Sequence, residues 1–167
     1  MRSLTACLLL LFLLPARADP ARFVATPYEE PKVVFDFYFD DPQKIHAALY
    51  WIRSLINPLM EEPYGFAPEM MDLVVVIHGT EIVTVAKHNY EKYRNAVDRM
   101  RYYAQLGVRF KVCGLAAADY GYRIDDFQDF IEVVPSAITE LAHWQQQGYA
   151  LIAPTVMEKR FSLEEIR

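Results

Sequence analysis

Little in this chain of 167 residues can staple, cradle or ligate. Its two cysteines are too few for a disulfide framework. Its six glycines are scattered, and no Gly-rich or Walker-type phosphate signature is present. The four histidines, His46, His78, His88 and His143, are not spaced as a ligand cluster, and the carboxylates are dispersed. No metal and no other cofactor is therefore expected. Basic residues are the minority, 17 against 22 acidic ones for a formal charge of −5. That argues against general nucleic-acid binding, which needs a concentrated basic footprint. Beyond the first residues no segment is long and apolar enough to span a bilayer, so no stable membrane insertion is expected.

What is present begins with an export signal. Arg2 supplies a positive start, residues 6–14 are apolar, and Ala16-Arg17-Ala18 fits small-x-small cleavage. Residues 1–18 are read as a secretory signal peptide, which directs the product to the periplasm or outside the cell. Cys7 precedes most of the apolar run, the wrong place for a lipid anchor. Losing Arg2 and Arg17 takes the formal charge from −5 to −7. Cys113 is then the only cysteine, without an intrachain partner. Residues 19–31, polar and proline-containing, read as an N-terminal arm, and residues 32–167 as a single domain.

Periodicity supplies the elements. Residues 32–39 are dense in β-branched and aromatic side chains and form the first strand. Asp36 and Tyr38 share one side of it, so that face is either lightly covered or covered from outside the monomer. Asp41-Pro42 opens a helix whose stripe is Ile45, Ala48, Leu49, Ile52 and Ile56, with Asn57-Pro58 ending it. Residues 71–77 read as a buried central strand, followed at once by His78-Gly79-Thr80. Residues 81–88 are a loop or short helix. Asn89 can cap a helix over 90–106, which Gly107 ends. A strand to Cys113, a short alanine helix, and a fourth strand over 130–134 follow. A Ser136-capped helix then buries Ile138, Leu141 and Ala142, and a fifth strand spans 149–153. Strands alternating with helices predict an α/β fold: a three-layer α/β/α sandwich with about five mainly parallel strands.

The candidate chemistry sits on Gly107-Val108-Arg109-Phe110-Lys111-Val112-Cys113-Gly114. Alternation places Cys113 on the strand face that carries Arg109 and Lys111, at a strand end where functional groups gather in open α/β sheets. Cations and helix N-termini raise the thiolate fraction of a cysteine. Alternate residues stand about 6.6 Å apart, so Lys111 can contribute directly and Arg109 only through long-range potential. Gly114 keeps the approach open. His78 ends the neighbouring strand and can act as a base or hydrogen-bond partner to the thiol, or simply lock its loop. Asp119 and Tyr120 can line the same cleft. A lone cysteine also serves as an inert buried hydrophobe, and that alternative stays open. Tyr90, Tyr102, Tyr120 and Tyr122 exceed what the core needs and suit a subunit interface.

Four segments together resemble the DsrE/DsrF-like (YchN-like) family. They are Val-Val-Val-Ile-His-Gly at 74–79, the helix leading to Gly-Val-Arg-Phe-Lys-Val-Cys-Gly at 107–114, Ile-Glu-Val-Val-Pro-Ser at 131–136, and Gln-Gly-Tyr-Ala-Leu-Ile-Ala-Pro at 147–154. The resemblance covers roughly residues 32–154. It implies a five-stranded parallel sheet and a homotrimer or homohexamer. It also implies a sulfur-relay role in which a strand-end cysteine, matched here by Cys113, accepts and donates persulfide sulfur between donor and acceptor proteins. The export signal departs from the cytoplasmic relay and puts a tRNA-modification partner in doubt. The alternative reading is a non-catalytic oligomeric binding or scaffold protein with a structural cysteine.

Overall fold

The structure is a computed structural model and describes residues 20–167. The signal expected at 1–18 lies outside the described residues. Ten elements follow in order: β1 (Lys32–Phe37), α1 (Ile45–Met60), β2 (Asp72–Ile77), α2 (Tyr90–Gln105), β3 (Arg109–Cys113), α3 (Gly114–Asp119), β4 (Ile131–Val134), α4 (Ala137–Gln146), β5 (Ala150–Ile152) and α5 (Leu163–Ile166). The five strands form one parallel sheet in the order β4-β3-β2-β1-β5. This is the expected α/β/α sandwich.

The connectivity decides which helix covers which face. From β1 to β4 each strand is laid beside its predecessor, and right-handed crossovers put the intervening helices on one side. The step from β4 to β5 runs back from one edge to the other, so α4 crosses the opposite side. Burial agrees. Phe35, Phe37, Leu73, Val75, Ile77, Phe110 and Val112 pack with the stripes of α1 (Ile45, Leu49, Ile52, Ile56) and α2 (Tyr93, Val97, Met100). The alternate residues Val34, Val74, Val76 and Cys113 meet Ala137, Leu141 and Tyr149 in a much smaller cluster. The thinly covered face is the one that carries Asp36 and Tyr38.

Four local expectations need correction. The first strand stops at Phe37, not Phe39, because the Phe39 amide is taken by the Glu81 carboxylate and its carbonyl by Thr80. Pro58 does not end α1, which runs on to Met60. A proline lacks only the bond to the carbonyl one turn back, here that of exposed Ser54, which water can satisfy. Asn89 stands at the N-cap of α2 but turns its amide to the Val83 carbonyl at 2.9 Å instead of capping. Finally, α4 buries Ala137 and Leu141 and leaves Ala142 and Ile138 outside, the latter 68% exposed. The reason is the charged surface beneath it: Glu140 and Trp144 are the side chains that can meet Lys111 and Arg109.

Candidate functional site at the carboxyl ends of the strands

The register brings the predicted pair together. Phe37, Ile77, Val112 and Val133 form one row across β1 to β4, and Cys113 pairs with Val134 in the next. Continuing β2 by one residue sets His78 beside Cys113, a strand spacing of about 4.8 Å away along the sheet. Both share the face of Val74 and Val76. No hydrogen bond joins them among the described residues; the Cys113 Sγ instead accepts the amide of Ala116 at 3.5 Å, capping α3. Between an open and a buried thiol, both left open by the sequence, the structure has the buried one: Cys113 is 5% exposed. The turn that its own sulfur caps folds over it, and Ala137 and Leu141 close the apolar side.

His78 is fixed from three directions. Its Nε2 lies 2.7 Å from the Asp36 Oδ1. The Tyr38 ring stacks on the imidazole with centroids 4.7 Å apart. Its backbone amide donates to the Glu81 Oε1 at 3.2 Å. Glu81, fully buried, also accepts from the amides of Gly79 at 2.9 Å and Phe39 at 3.0 Å. Burial pushes the Glu81 carboxyl above its ordinary value, against the pull of these backbone donors. Only glycine fits at 79, since a Cβ there would stand 2.4 Å from the Phe39 nitrogen and 2.5 Å from the Glu81 Oε2. One carboxylate thus ties the ends of β1 and β2 together and sets where His78 points.

The two cations on β3 do not serve the thiol in the expected way. Lys111 Nζ is 2.6 Å from Glu132 and 3.2 Å from Glu140. Arg109 pairs with Asp72, donates to the Tyr149 hydroxyl at 3.1 Å and lies over the Trp144 ring at 4.3 Å. The same Tyr149 hydroxyl donates to Asp72, and burial raises its pKa. With three carboxylates around two cations, this patch carries no surplus positive charge to lend Cys113.

The remaining predicted residues divide between two clefts. Gly114 lines an apolar cleft of about 770 Å³ with Leu115, Tyr122, Ile124, Val133 and Pro135. Its lack of a side chain serves packing, because a Cβ would stand 2.9 Å from the Val134 carbonyl oxygen. Asp119 and Tyr120 join His78 in a second cleft of about 540 Å³, with Tyr38, Asp40 and Thr80. Cys113 lines neither, but the turn following it separates them, Leu115 facing one and Ala116 the other. Sequence reasoning missed Glu81 and the pairing of Asp36 with His78. The signals were a carboxylate heading the apolar run Ile82-Val83 and an aspartate inside an otherwise apolar strand. Among the described residues no group of three His, Cys, Asp or Glu side chains is arranged to hold a metal, and no helix is long and apolar enough to cross a membrane.

Comparison with known proteins agrees with the fold. A family model described as "DsrE/DsrF-like family" matches residues 32–154. No curated protein matches the chain. Among solved structures, the "Protein of Unknown Function MTH1491 from Methanobacterium thermoautotrophicum" is similar in fold, with a TM-score of 0.60 and 21% identity. The match covers 75% of this chain and 100% of that one.

Proposed function

The chain belongs to the DsrE/DsrF-like family, and on that premise we propose that it is an exported sulfur carrier that holds one sulfur atom as a persulfide on Cys113. The family is associated with sulfur relay. The observation that carries the reading is the position of Cys113, at the carboxyl end of β3 and one strand from His78. In loading, the Cys113 thiolate attacks the outer sulfur of a donor persulfide. The donor's S–S bond breaks, its thiolate leaves, and Cys113 keeps the sulfur. In unloading, an acceptor thiolate attacks that outer sulfur and Cys113 leaves as the thiolate. Export rests on residues 1–18. Assembly into a trimer or hexamer finds support in exposed apolar side chains outside the core, among them Tyr102, Tyr120, Leu115 and Ile138.

Burial sets the condition on this reading: the turn after Cys113 must move aside for a donor to reach the sulfur. Mass analysis of the intact protein before and after polysulfide tests it. The wild type should gain one sulfur reversibly on Cys113, and Cys113→Ser should fold and assemble yet stay unlabelled. A wild type that gains nothing, or a serine variant that still labels, overturns the carrier role.

The same burial favours a second reading, a non-catalytic oligomeric binding or scaffold protein in which Cys113 is a small hydrophobe. Alkylation of the native protein separates the two. Rapid modification at neutral pH supports the carrier, and modification only after unfolding supports the scaffold.

A further inference from the structure

What takes the sulfur away can be read from the cleft beside His78; this inference rests on the carrier reading. The cleft's size, about 540 Å³, suits a small molecule. Its lining includes the carboxylates of Asp40 and Asp119 and neither lysine nor arginine. Asp40 is paired with Lys44 at 2.5 Å, whereas Asp119 has no side-chain partner among the described residues. The rings of Tyr38 and Tyr120, 70% and 44% exposed, stand at the same opening. An uncompensated carboxylate beside aromatic faces attracts an ammonium group and repels an anion.

The wall that carries the histidine is built rather than incidental. Glu81 binds the amides of Phe39, His78 and Gly79, and Thr80 hydroxyl donates to the Phe39 carbonyl at 2.9 Å. These bonds fix both loops that line the cleft. A carboxylate only accepts, so the bond at Asp36 draws the ring proton to Nε2 and leaves the lone pair on Nδ1. Among the described residues Nδ1 has no partner, and no buried side-chain nitrogen or oxygen lacks one. Nδ1 is therefore open to a ligand, on a ring that stands next to Cys113 in the sheet.

We propose that this cleft seats a small thiol carrying a positive charge, and that, once the turn after Cys113 has moved aside as it must for loading, His78, oriented by Asp36, takes the thiol's proton as it attacks the persulfide on Cys113. The acceptor sulfur bonds the outer sulfur of the persulfide while the bond from that sulfur to Cys113 breaks. The proton held on Nδ1 passes to the departing Cys113 sulfur. The sum is an acceptor thiol plus Cys113 persulfide giving acceptor persulfide plus Cys113 thiol, with no outside oxidant or reductant. His78 is a catalytic residue in this step and Asp36 a positioning residue.

The test discharges polysulfide-loaded full-length protein with cysteamine, 2-mercaptoethanol or 2-mercaptoethanesulfonate at equal concentration of the protonated thiol. Cysteamine should be fastest and the sulfonate slowest, with about tenfold between them, the scale of one exposed ion pair plus one cation–π contact. Asp119→Asn should collapse the ranking. His78→Gln should slow discharge by about a hundredfold, a typical loss for a removed general base. Asp36→Ala should slow it similarly, while Asp36→Asn, whose amide oxygen still accepts from Nε2, should recover most of the rate. An equal or reversed ranking, or a His78→Gln protein that discharges normally, overturns the proposal. Failure of Cys113 to load at all is failure of the carrier reading. The seat is then tested alone, by NMR of Cys113→Ser protein: cysteamine should shift the His78 ring signals where the sulfonate does not, and no shift overturns the seat.

Discussion

The two faces of one sheet, made by the same strands, are built to different rules. Toward α1 and α2 the strands present Phe35, Phe37, Leu73, Val75, Ile77, Phe110 and Val112, all at most 2% exposed, with no charge among them. Toward α4 the alternate positions are Val34, Val74 and Val76 interleaved with Asp36, Asp72, Arg109 and Lys111. Parallel strands covered on both sides are normally apolar throughout. The first face follows that rule and supplies stability, which scales with apolar area removed from water. The second departs from it, and the departure reaches the carboxyl edge as Asp36, His78 and Cys113. A face that spends sheet positions on paired charges gains specificity of geometry more than stability.

The largest effect should come from breaking the apolar face. Phe35 is fully buried between sheet and helices, so Phe35→Ala should cost about 3–5 kcal/mol of unfolding free energy by urea titration. A loss near 1 kcal/mol would mean that the two faces do not differ as their burial suggests.

A smaller effect is expected at Glu81, where the edge of the sheet is fastened. Glu81→Gln keeps one acceptor oxygen but turns an amide toward a backbone donor, and should cost about 1–3 kcal/mol at about pH 4.5 and less at neutral pH. The pH dependence carries a definite sign. Because burial holds the folded-state pKa above the 4.5 of the free group, the contribution of Glu81 is fullest below pH 4.5. It is lost as pH rises through the raised folded value. Wild type should therefore weaken relative to Glu81→Gln over that interval, measured as the difference in urea midpoints. A difference that grows in wild type's favour as pH rises would overturn the assignment.

These contrasts explain what could be read from the chain without coordinates. The apolar face was legible because its pattern is local: alternate residues in 32–37, the continuous apolar run 73–77 of a central strand, and the three-and-four spacing of Ile45, Leu49, Ile52 and Ile56. Topology placed β2 and β3 together and so put His78 near Cys113. The charged face was only half legible. Asp36, Arg109 and Lys111 stood out as polar residues in strands, but their partners Glu132, Glu140, Asp72 and Tyr149 come from distant segments. Reading Arg109 and Lys111 without those partners credited Cys113 with positive charge that the fold has already neutralised. The same omission turned Ile138 inward, since hydrophobicity alone does not report that Lys111 waits beneath α4. Burial of Cys113 was legible only as one of two alternatives, because it depends on the α3 turn and on α4 from across the sheet.

The smallest effect separates the faces most sharply. Lys111 is 8% exposed and held between Glu132 and Glu140. Desolvating such a cation offsets most of what its partners return. Lys111→Met alone should cost about 1–2 kcal/mol, because half-buried Glu140 loses its counter-charge while solvated Glu132 scarcely notices. Adding Glu140→Gln removes the stranded charge, and the double variant should return to within about 1 kcal/mol of wild type by urea titration. Neutralising a charge cannot restore Phe35→Ala in this way, since what that variant leaves is a cavity that only added volume would fill. A double variant no better than the single one would make Lys111 a stabilising element like Phe35, and the distinction between the two faces would fail.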